Sequence, residues 1–325
     1  MSRRTRTWLL VAAVLLLLGC ILFGGGFGMA DWDITKLGTG KYVTNDYTVG
    51  PEFTDIKIES KTADVIFQPA SDGKVTVECL EQLHAEHAVS VENGTLVIRL
   101  VDERKWYEHI SWFNFTNPRI TVSLPEGQYG GLIVRTSTGK VSLAERLSFD
   151  SADMTLSTGT VTSRACVTGM LKIKTNTGSI SLQGVSVGTL ELATSTGKIT
   201  AEAIRCTGEA KLTVDTGDIC LTDFRCKIFD AKTDTGDLLL TKVIVEEALM
   251  ARTDTGKVKF DGCDAGELTV KTDTGSVTGS LLSPKIFFAK TDTGSVDVPG
   301  TTTGGRCEII TDTGSIRITV TESIG

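Results

Sequence analysis

Apolar and polar residues alternate around a short motif that recurs from residue 137 onward, in which Asp, Ser or Asn is followed by Thr-Gly. The ten motif glycines are Gly139, Gly159, Gly178, Gly197, Gly217, Gly236, Gly256, Gly275, Gly294 and Gly314. They lie 19 or 20 residues apart. The residue two after each glycine is Val, Ile or Leu, and the residues five and seven before it are also apolar. This alternation predicts strands with one buried face.

A repeat of this length cannot bury its own apolar face, so successive units must stack on one another. The sequence therefore predicts an all-β chain built as a parallel β-solenoid (β-helix) of about ten coils over residues 131–325. With a strand spacing of about 4.8 Å, ten coils are roughly 48 Å long.

Six copies of the motif contain Asp-Thr-Gly, the triplet that carries the catalytic aspartate of aspartic peptidases. We call these six aspartates the Asp column: Asp215, Asp234, Asp254, Asp273, Asp292 and Asp312. A peptidase dyad needs two carboxylates that converge on one water molecule. This pattern supplies one carboxylate per coil and has Ser or Asn in the first four coils. The triplet is therefore interpreted as turn chemistry, in which Gly adopts a positive φ and Thr hydroxyls hydrogen-bond between coils.

The Asp column has cationic neighbours. Lys232, Arg252, Lys271 and Lys290 stand two residues before four of its members. Alternating rows of base and acid predict a solvated, charged face. A calcium-binding Asp column is the alternative, although Ca²⁺ takes six to eight oxygen ligands and each coil offers few. No metal and no other cofactor is predicted.

The N-terminus predicts a membrane anchor. An uncharged stretch at 8–30 follows Arg3, Arg4 and Arg6 and would span roughly 34 Å as a helix. The arginines place residues 1–7 in the cytoplasm and the bulk of this single-pass protein outside it. Two alternatives remain: lipidation of Cys20 in a lipobox-like "LLGC", or cleavage of a signal peptide after "GMA".

Residues 31–130 predict a less regular β cap with irregular coils, in which "ESKTADVIF" is a degenerate early coil. Five aromatic residues of this segment are candidates for contact with a partner or the membrane surface, or for covering an edge of the core: Trp106, Tyr107, Trp112, Phe113 and Phe115. His84 and His87 have a loose metal-like spacing with Glu81 and Glu86, but no third ligand of clear spacing follows.

Seven cysteines lie outside the predicted anchor, without CxxC pairs. Cys166 and Cys263 share an inward column and predict small buried hydrophobic residues. Cys206 and Cys226 are one coil apart at the same offset, so they are stacked neighbours that are either unpaired or joined by a disulfide.

A net charge of −7 argues against nucleic-acid binding. The chain has no nucleophile elbow, P-loop or dinucleotide-binding fingerprint, so it is not predicted to be an enzyme. Little sequence follows the last coil to cover it. The C-terminal edge of the solenoid is therefore a candidate for self-association.

An ordered set of motifs resembles a bacterial family of unknown function. These motifs are an apolar N-terminal helix, then "DITKLGTGKY", "ADVIFQP", "VSVENGTLVI", "RKWYEHI", "ITVSLP" and the repeated coils. The family's β-strand-repeat domain carries the label "putative adhesin", and some members are described as LiaG-like. The resemblance implies a membrane-anchored envelope protein with a solenoid outside the cytoplasm, and it implies no catalytic residues.

The predicted function is a structural or adhesin-like binding module for a protein or glycan ligand. A cell-envelope stress accessory protein that acts through neighbouring membrane proteins is the alternative, and a surface polysaccharide-active enzyme is a weaker one.

Overall fold

A computed structural model describes residues 3–29, 42–50, 52–104 and 117–321 of the chain. It confirms the predicted all-β solenoid preceded by one apolar helix. Helix α1 is Arg3–Met29, and its stretch Thr5–Gly25 is long and apolar enough to cross a membrane. By length, composition and position, α1 is a candidate membrane span or signal sequence.

The described residues form 24 strands in one continuous sheet. In chain order the strands are β1 Tyr42–Val49, β2 Asp55–Glu59, β3 Asp64–Pro69, β4 Val75–Gln82, β5 Ala85–Glu92, β6 Thr95–Asp102, β7 Arg119–Leu124, β8 Gly127–Thr138, β9 Val141–Leu143, β10 Leu147–Thr158, β11 Val161–Ser163, β12 Cys166–Thr177, β13 Ile180–Gln183, β14 Ser186–Thr196, β15 Ile199–Cys206, β16 Glu209–Thr216, β17 Ile219–Thr235, β18 Leu238–Thr255, β19 Val258–Thr274, β20 Val277–Leu281, β21 Lys285–Thr293, β22 Val296–Asp297, β23 Gly305–Thr313 and β24 Ile316–Val320.

The repeat coils pair in parallel and in register. Met154 in β10, for example, lies between Val134 of one neighbouring coil and Ile173 of the other. At the positions two after and five and seven before the motif glycine, side chains are buried in every repeat coil except the one that contains Gly294. The predicted inward face is therefore the hydrophobic core, which runs along the axis of the stack.

The motif glycine is required by the close approach of neighbouring coils. Nine of the ten motif glycines have φ between +137° and +157°, a region that L side chains rarely adopt. A Cβ atom at any of the ten would overlap the backbone of the coil beside it. The interpretation of the motif as turn chemistry agrees with this geometry.

The Thr three residues before the motif glycine faces inward in most coils. Its buried hydroxyl donates a hydrogen bond to a motif-glycine carbonyl of the neighbouring coil, for example Thr194 to Gly178 at 2.9 Å and Thr233 to Gly217 at 3.0 Å. These are the predicted coil-to-coil hydrogen bonds. They satisfy hydroxyl groups that the apolar core would otherwise leave unpaired.

The coils do not stack in sequence order at the C-terminal end. Strands β23 and β24, which form the last coil in the chain, pair with β19 and β20 on one side. On their other side they pair with β21 and β22, which precede them in sequence. The coil that contains Gly294 is therefore the outermost coil of the stack, and the final coil lies inside it.

The N-terminal end shows the same exchange. Strands β2 and β3 form the early coil predicted from the sequence, with Ala63 beside Gly139 where later coils have a motif glycine. On their other side, β2 and β3 pair with β6 and β7, which come later in the chain. The first coil in sequence is therefore held between two others.

Antiparallel strands cover this N-terminal end. Strand β5 pairs with β6, β4 pairs with β7, and β1 pairs with the outer side of β4. The turn between β4 and β5 joins the two sides. We call β1, β4 and β5 the cap.

Candidate functional site

Three side chains of metal-ligand type converge inside the cap. Cys79 and Glu81 are two residues apart on β4, so both point to its inward face. The turn through His84, which has φ of 66°, reverses the chain and brings His87 on β5 against them. All three side chains are buried, and Glu81 has no exposed surface. Among the residues that the structure describes, this is the one cluster of three such groups whose ligand atoms lie within 4.8 Å of one another.

Hydrogen bonds hold the Glu81 carboxylate on both of its oxygens. Asn45 Nδ2 on β1 donates to Oε1 at 2.7 Å. The backbone N of His87 donates to Oε2 at 2.7 Å, and the ring Nδ1 of His87 is hydrogen-bonded to the same oxygen, also at 2.7 Å. The second ring nitrogen of His87, Nε2, lies 3.0 Å from Ser60 Oγ. Because the carboxylate and the imidazole each have a hydrogen-bond partner on both sides, both groups are fixed in orientation.

Cys79 supplies the sulfur atom of this cluster. Burial, and to a lesser extent the negative charge of Glu81, raises the pKa of its thiol to about 12. A thiol with this pKa is protonated at neutral pH, and only the thiolate is an effective nucleophile. The arrangement therefore does not suit nucleophilic catalysis by Cys79.

A surface depression of about 310 Å³ adjoins the cluster and has His87 in its wall, together with Tyr47, His84, Glu86, Ala88, Val101 and Glu103. Of the four residues with metal-like spacing in the sequence, Glu81 and His87 come together. His84 and Glu86 lie on the exposed side of the hairpin. Cys79 was not predicted as a member of this cluster, although its position two residues before Glu81 in an alternating strand was a signal that the two share a face.

The Asp column lies on the outer surface of the coils. Two of the cationic residues predicted beside it form ion pairs with its members, whereas a third pairs with a different aspartate. Lys232 Nζ lies 2.7 Å from Asp234, and Lys290 Nζ lies 3.1 Å from Asp292. The guanidinium of Arg252 instead lies 2.9 Å from Asp230. The solvated, charged face stays the prediction for the Asp column, and calcium binding stays its alternative.

The five aromatic residues proposed for partner contact, Trp106, Tyr107, Trp112, Phe113 and Phe115, lie outside the described residues. Their role also stays a prediction.

The outermost coil at the C-terminal end exposes positions that are buried elsewhere. Val296 is 44% exposed, and Phe287 and Ala289 are only partly buried, because no further coil among the described residues covers them. On the outward face of β21, Phe288 is 51% exposed beneath the guanidinium of Arg306, which lies 4.7 Å from the ring centroid. We call the uncovered side of β21 and β22 the open end.

The open end corrects one detail of the sequence prediction. The last coil in sequence was expected to present the free edge, but it is enclosed between two coils. The free edge belongs to the preceding coil, because the chain returns past that coil to insert its final strands.

The cysteines pack mostly as small hydrophobic residues. Cys263 is buried as predicted, but Cys166 is only half-buried because Ala165 takes the inward place in that coil. Cys206 and Cys226 are both buried and unpaired. Burial raises the pKa values of both thiols, so both stay protonated at neutral pH.

Residues 53–261, more than half of the chain, match the model of a protein family described as Toastrack DUF4097. No curated protein matches the chain.

Several solved structures are similar in fold. A "putative adhesin" from Parabacteroides distasonis ATCC 8503 is 16% identical, with 87% of this chain and 98% of that chain covered and a TM-score of 0.49. A "putative adhesin" from Parabacteroides merdae ATCC 43184 is 14% identical, with the same coverage and a TM-score of 0.47. A "putative lipid binding protein" from Parabacteroides distasonis ATCC 8503 is 15% identical, again with 87% and 98% covered and a TM-score of 0.43. At these identities and TM-scores, the likeness supports no conclusion about function.

Proposed function

The chain belongs to the Toastrack DUF4097 family, and we propose that it is a membrane-tethered binding module without catalytic activity. The family match agrees with the resemblance to an adhesin-like repeat family of unknown function that the motifs indicate. The single observation that carries the proposed binding role is the open end of the solenoid.

An open end is a ready site for strand pairing. The outer edges of β21 and β22 have no neighbouring strand among the described residues. The carbonyl of Lys285, at the start of β21, accepts a hydrogen bond from Thr301 Oγ1, and the rest of this edge offers backbone N–H and C=O groups to another chain. A β-strand from a partner can add to such an edge, with backbone hydrogen bonds giving affinity and side chains giving specificity. At the other end of the stack, the antiparallel cap strands β4 and β5 pair with the edge strands β7 and β6 of the terminal coil. The end of this solenoid can therefore accept an antiparallel strand.

We propose a second copy of the chain as the partner, held by antiparallel pairing of β21 with its equivalent. Lys290 and Asp292 form an exposed ion pair on the outward face of β21. In a two-fold arrangement, any register that places Lys290 opposite Asp292 forms the opposite-charge pair twice by symmetry. The exposed ring of Phe288 lies beside this pair in the strand and would lose water on association.

The tether in this proposal is α1. Residues 8–30 act as the anchor with 1–7 in the cytoplasm, 31–130 provide the cap and irregular coils, and 131–325 provide the repeats. Strand β1 follows the helix in sequence and lies at the capped end of the stack. The open end lies at the opposite end, on the order of 50 Å away for twelve coils. It would therefore be presented away from the membrane.

Vesicle clustering tests the binding role. Liposomes carrying the full chain should aggregate when measured by light scattering, because open ends on different vesicles pair. Phe288→Lys should abolish this aggregation by placing a charge in the contact. Met170→Lys is the matched control, since Met170 is similarly exposed at 48% but lies far along the stack, and it should leave aggregation intact. Clustering that survives Phe288→Lys would rule out the open end as the contact. Absence of clustering by the unmodified chain would rule out self-pairing and favour a protein or glycan ligand.

Membrane fractionation with intact-mass measurement tests the tether. The uncleaved chain in the membrane fraction is expected if α1 is the anchor. A shortened chain would identify a cleaved signal, and an added lipid mass on Cys20 would identify a lipoprotein.

A further inference from the structure

The buried cluster in the cap has the composition and arrangement of a transition-metal site, and it is independent of the proposed binding role. Its three candidate ligand atoms are Cys79 Sγ, Glu81 Oε2 and His87 Nδ1, contributed by two strands joined by a tight turn. Thiolate, imidazole and carboxylate together suit zinc and similar divalent ions, whereas calcium and magnesium prefer oxygen ligands alone. We propose that the cap binds one zinc ion through these three residues.

The surrounding hydrogen bonds are those that a metal site needs. A metal-bound histidine normally uses its other ring nitrogen in a hydrogen bond that fixes the ring, and here His87 Nε2 lies 3.0 Å from Ser60 Oγ. A metal-bound carboxylate is held in the same way, and here Asn45 Nδ2 holds the remote oxygen of Glu81 at 2.7 Å. These two contacts leave His87 Nδ1 and Glu81 Oε2 facing each other, and ligand atoms of all three residues lie within 4.8 Å of one another.

In the metal-free chain, His87 Nδ1 and Glu81 Oε2 lie 2.7 Å apart and share the proton of a hydrogen bond. Binding of Zn²⁺ replaces this proton and the thiol proton of Cys79, and both protons pass to solvent. The ion then neutralises a carboxylate and a thiolate whose negative charges would otherwise be costly to bury.

Three protein ligands leave one tetrahedral position for a water molecule or an added ligand. His87 forms part of the wall of the 310 Å³ depression, which gives the ion a route from solvent. The cluster also joins elements that are distant in sequence. Asn45 belongs to β1, Ser60 follows β2, and the ligands lie on β4 and β5. Bound zinc would therefore fasten the cap to the end of the stack.

Titration of the reduced full chain in detergent with Co²⁺ and Zn²⁺ tests this site. Cobalt serves as the spectroscopic probe for zinc, and a thiolate ligand produces a charge-transfer band in the near ultraviolet. We expect one equivalent of Co²⁺ to produce this band, and one equivalent of Zn²⁺ to displace the cobalt and abolish the band. The thermal midpoint of unfolding should rise when Zn²⁺ is added.

Two variants distinguish the site from binding elsewhere. Cys79→Ser should remove the band, whereas Cys226→Ser, at an equally buried cysteine of the repeats, should retain it. Should Cys79→Ser fail to fold by circular dichroism, Asn45→Ala provides the second test. It leaves all three ligands in place and is expected to weaken zinc binding roughly tenfold or more, as loss of an outer-shell partner does.

A band that persists unchanged in Cys79→Ser, or unaltered affinity in Asn45→Ala, would overturn the assignment. Absence of stoichiometric binding by the unmodified chain would also overturn it and leave the cluster as a hydrogen-bonded network that holds the cap.

Discussion

Substitution of a motif glycine in the middle of the stack is the most direct test of how the coils are held. Gly236 has φ of +151°. A Cβ atom there would overlap the carbonyl oxygen of Gly217, and it would lie 2.5 Å from the carbonyl carbon and 3.2 Å from Asp218 N. Gly236→Ala must therefore keep a strained backbone and also force two coils apart.

The loss of unfolding free energy caused by Gly236→Ala can be estimated from these contacts. Backbone strain of this kind is worth about 1–3 kcal/mol. Separation of the coils stretches the hydrogen bond from Thr233 Oγ1 to Gly217 O at 3.0 Å and the one from Gly217 N to Thr235 O at 2.8 Å. Each net hydrogen bond contributes about 0.5–1.5 kcal/mol. The expected loss of unfolding free energy is the sum, about 2–6 kcal/mol.

Urea unfolding of the full chain in detergent, followed by far-ultraviolet circular dichroism, measures this loss. Gly127→Ala is the matched control, because Gly127 is a strand glycine with no atom within 4 Å of an added Cβ and no positive φ. It should change the free energy of unfolding by less than about 0.5 kcal/mol. Equal stability of Gly236→Ala and the unmodified chain would refute the stacking of motif glycines against one another.

Three further predictions address the coil order, the charged surface and the Asp column. Cysteines at Thr269 and Glu308 should form a disulfide on oxidation, because these residues are strand neighbours. Cysteines at Thr269 and Phe288 should not, because Glu308 lies between them and the Cα atoms are roughly 10 Å apart; the reverse result would restore sequential stacking. Hydrogen bonds from Arg135 lower the pKa of Asp153, so its stabilising effect is complete above the unfolded carboxyl pKa of about 3.9 and is lost as the pH falls through the lower folded pKa. Asp153→Asn should therefore remove less than about 1 kcal/mol of stability at neutral pH, since this pair is partly exposed, and a smaller amount at low pH; equal loss at both pH values would contradict the pairing. For the Asp column, we expect calcium and chelator to give the same thermal midpoint after the cap site is removed by Cys79→Ser, and an upward shift with calcium would identify a calcium site.

The repeat architecture could be predicted from periodicity alone, because the same physical constraint acts at fixed positions in every coil. Each coil must bury the same positions against its neighbours, and Val141, Ile180 and Val258 are buried where the alternation places them. At one position in each coil, the backbone of the neighbouring coil lies too close to leave room for a side chain. Gly therefore recurs at 19- or 20-residue intervals. Local pattern and global structure agree here because a solenoid coil contacts only its two neighbours.

The tertiary structure alone decided the ends, where the repeat rule no longer applies. The sequence period cannot show that β23 inserts between β19 and β21, because all three strands carry the same inward pattern and would pair in any order. Nor could spacing show that His87 meets Cys79 and Glu81, or that Arg252 contacts Asp230, since both contacts depend on how side chains meet across strands. Periodicity determines which face of a strand is buried. Which strand pairs with it depends on the path of the chain through the fold.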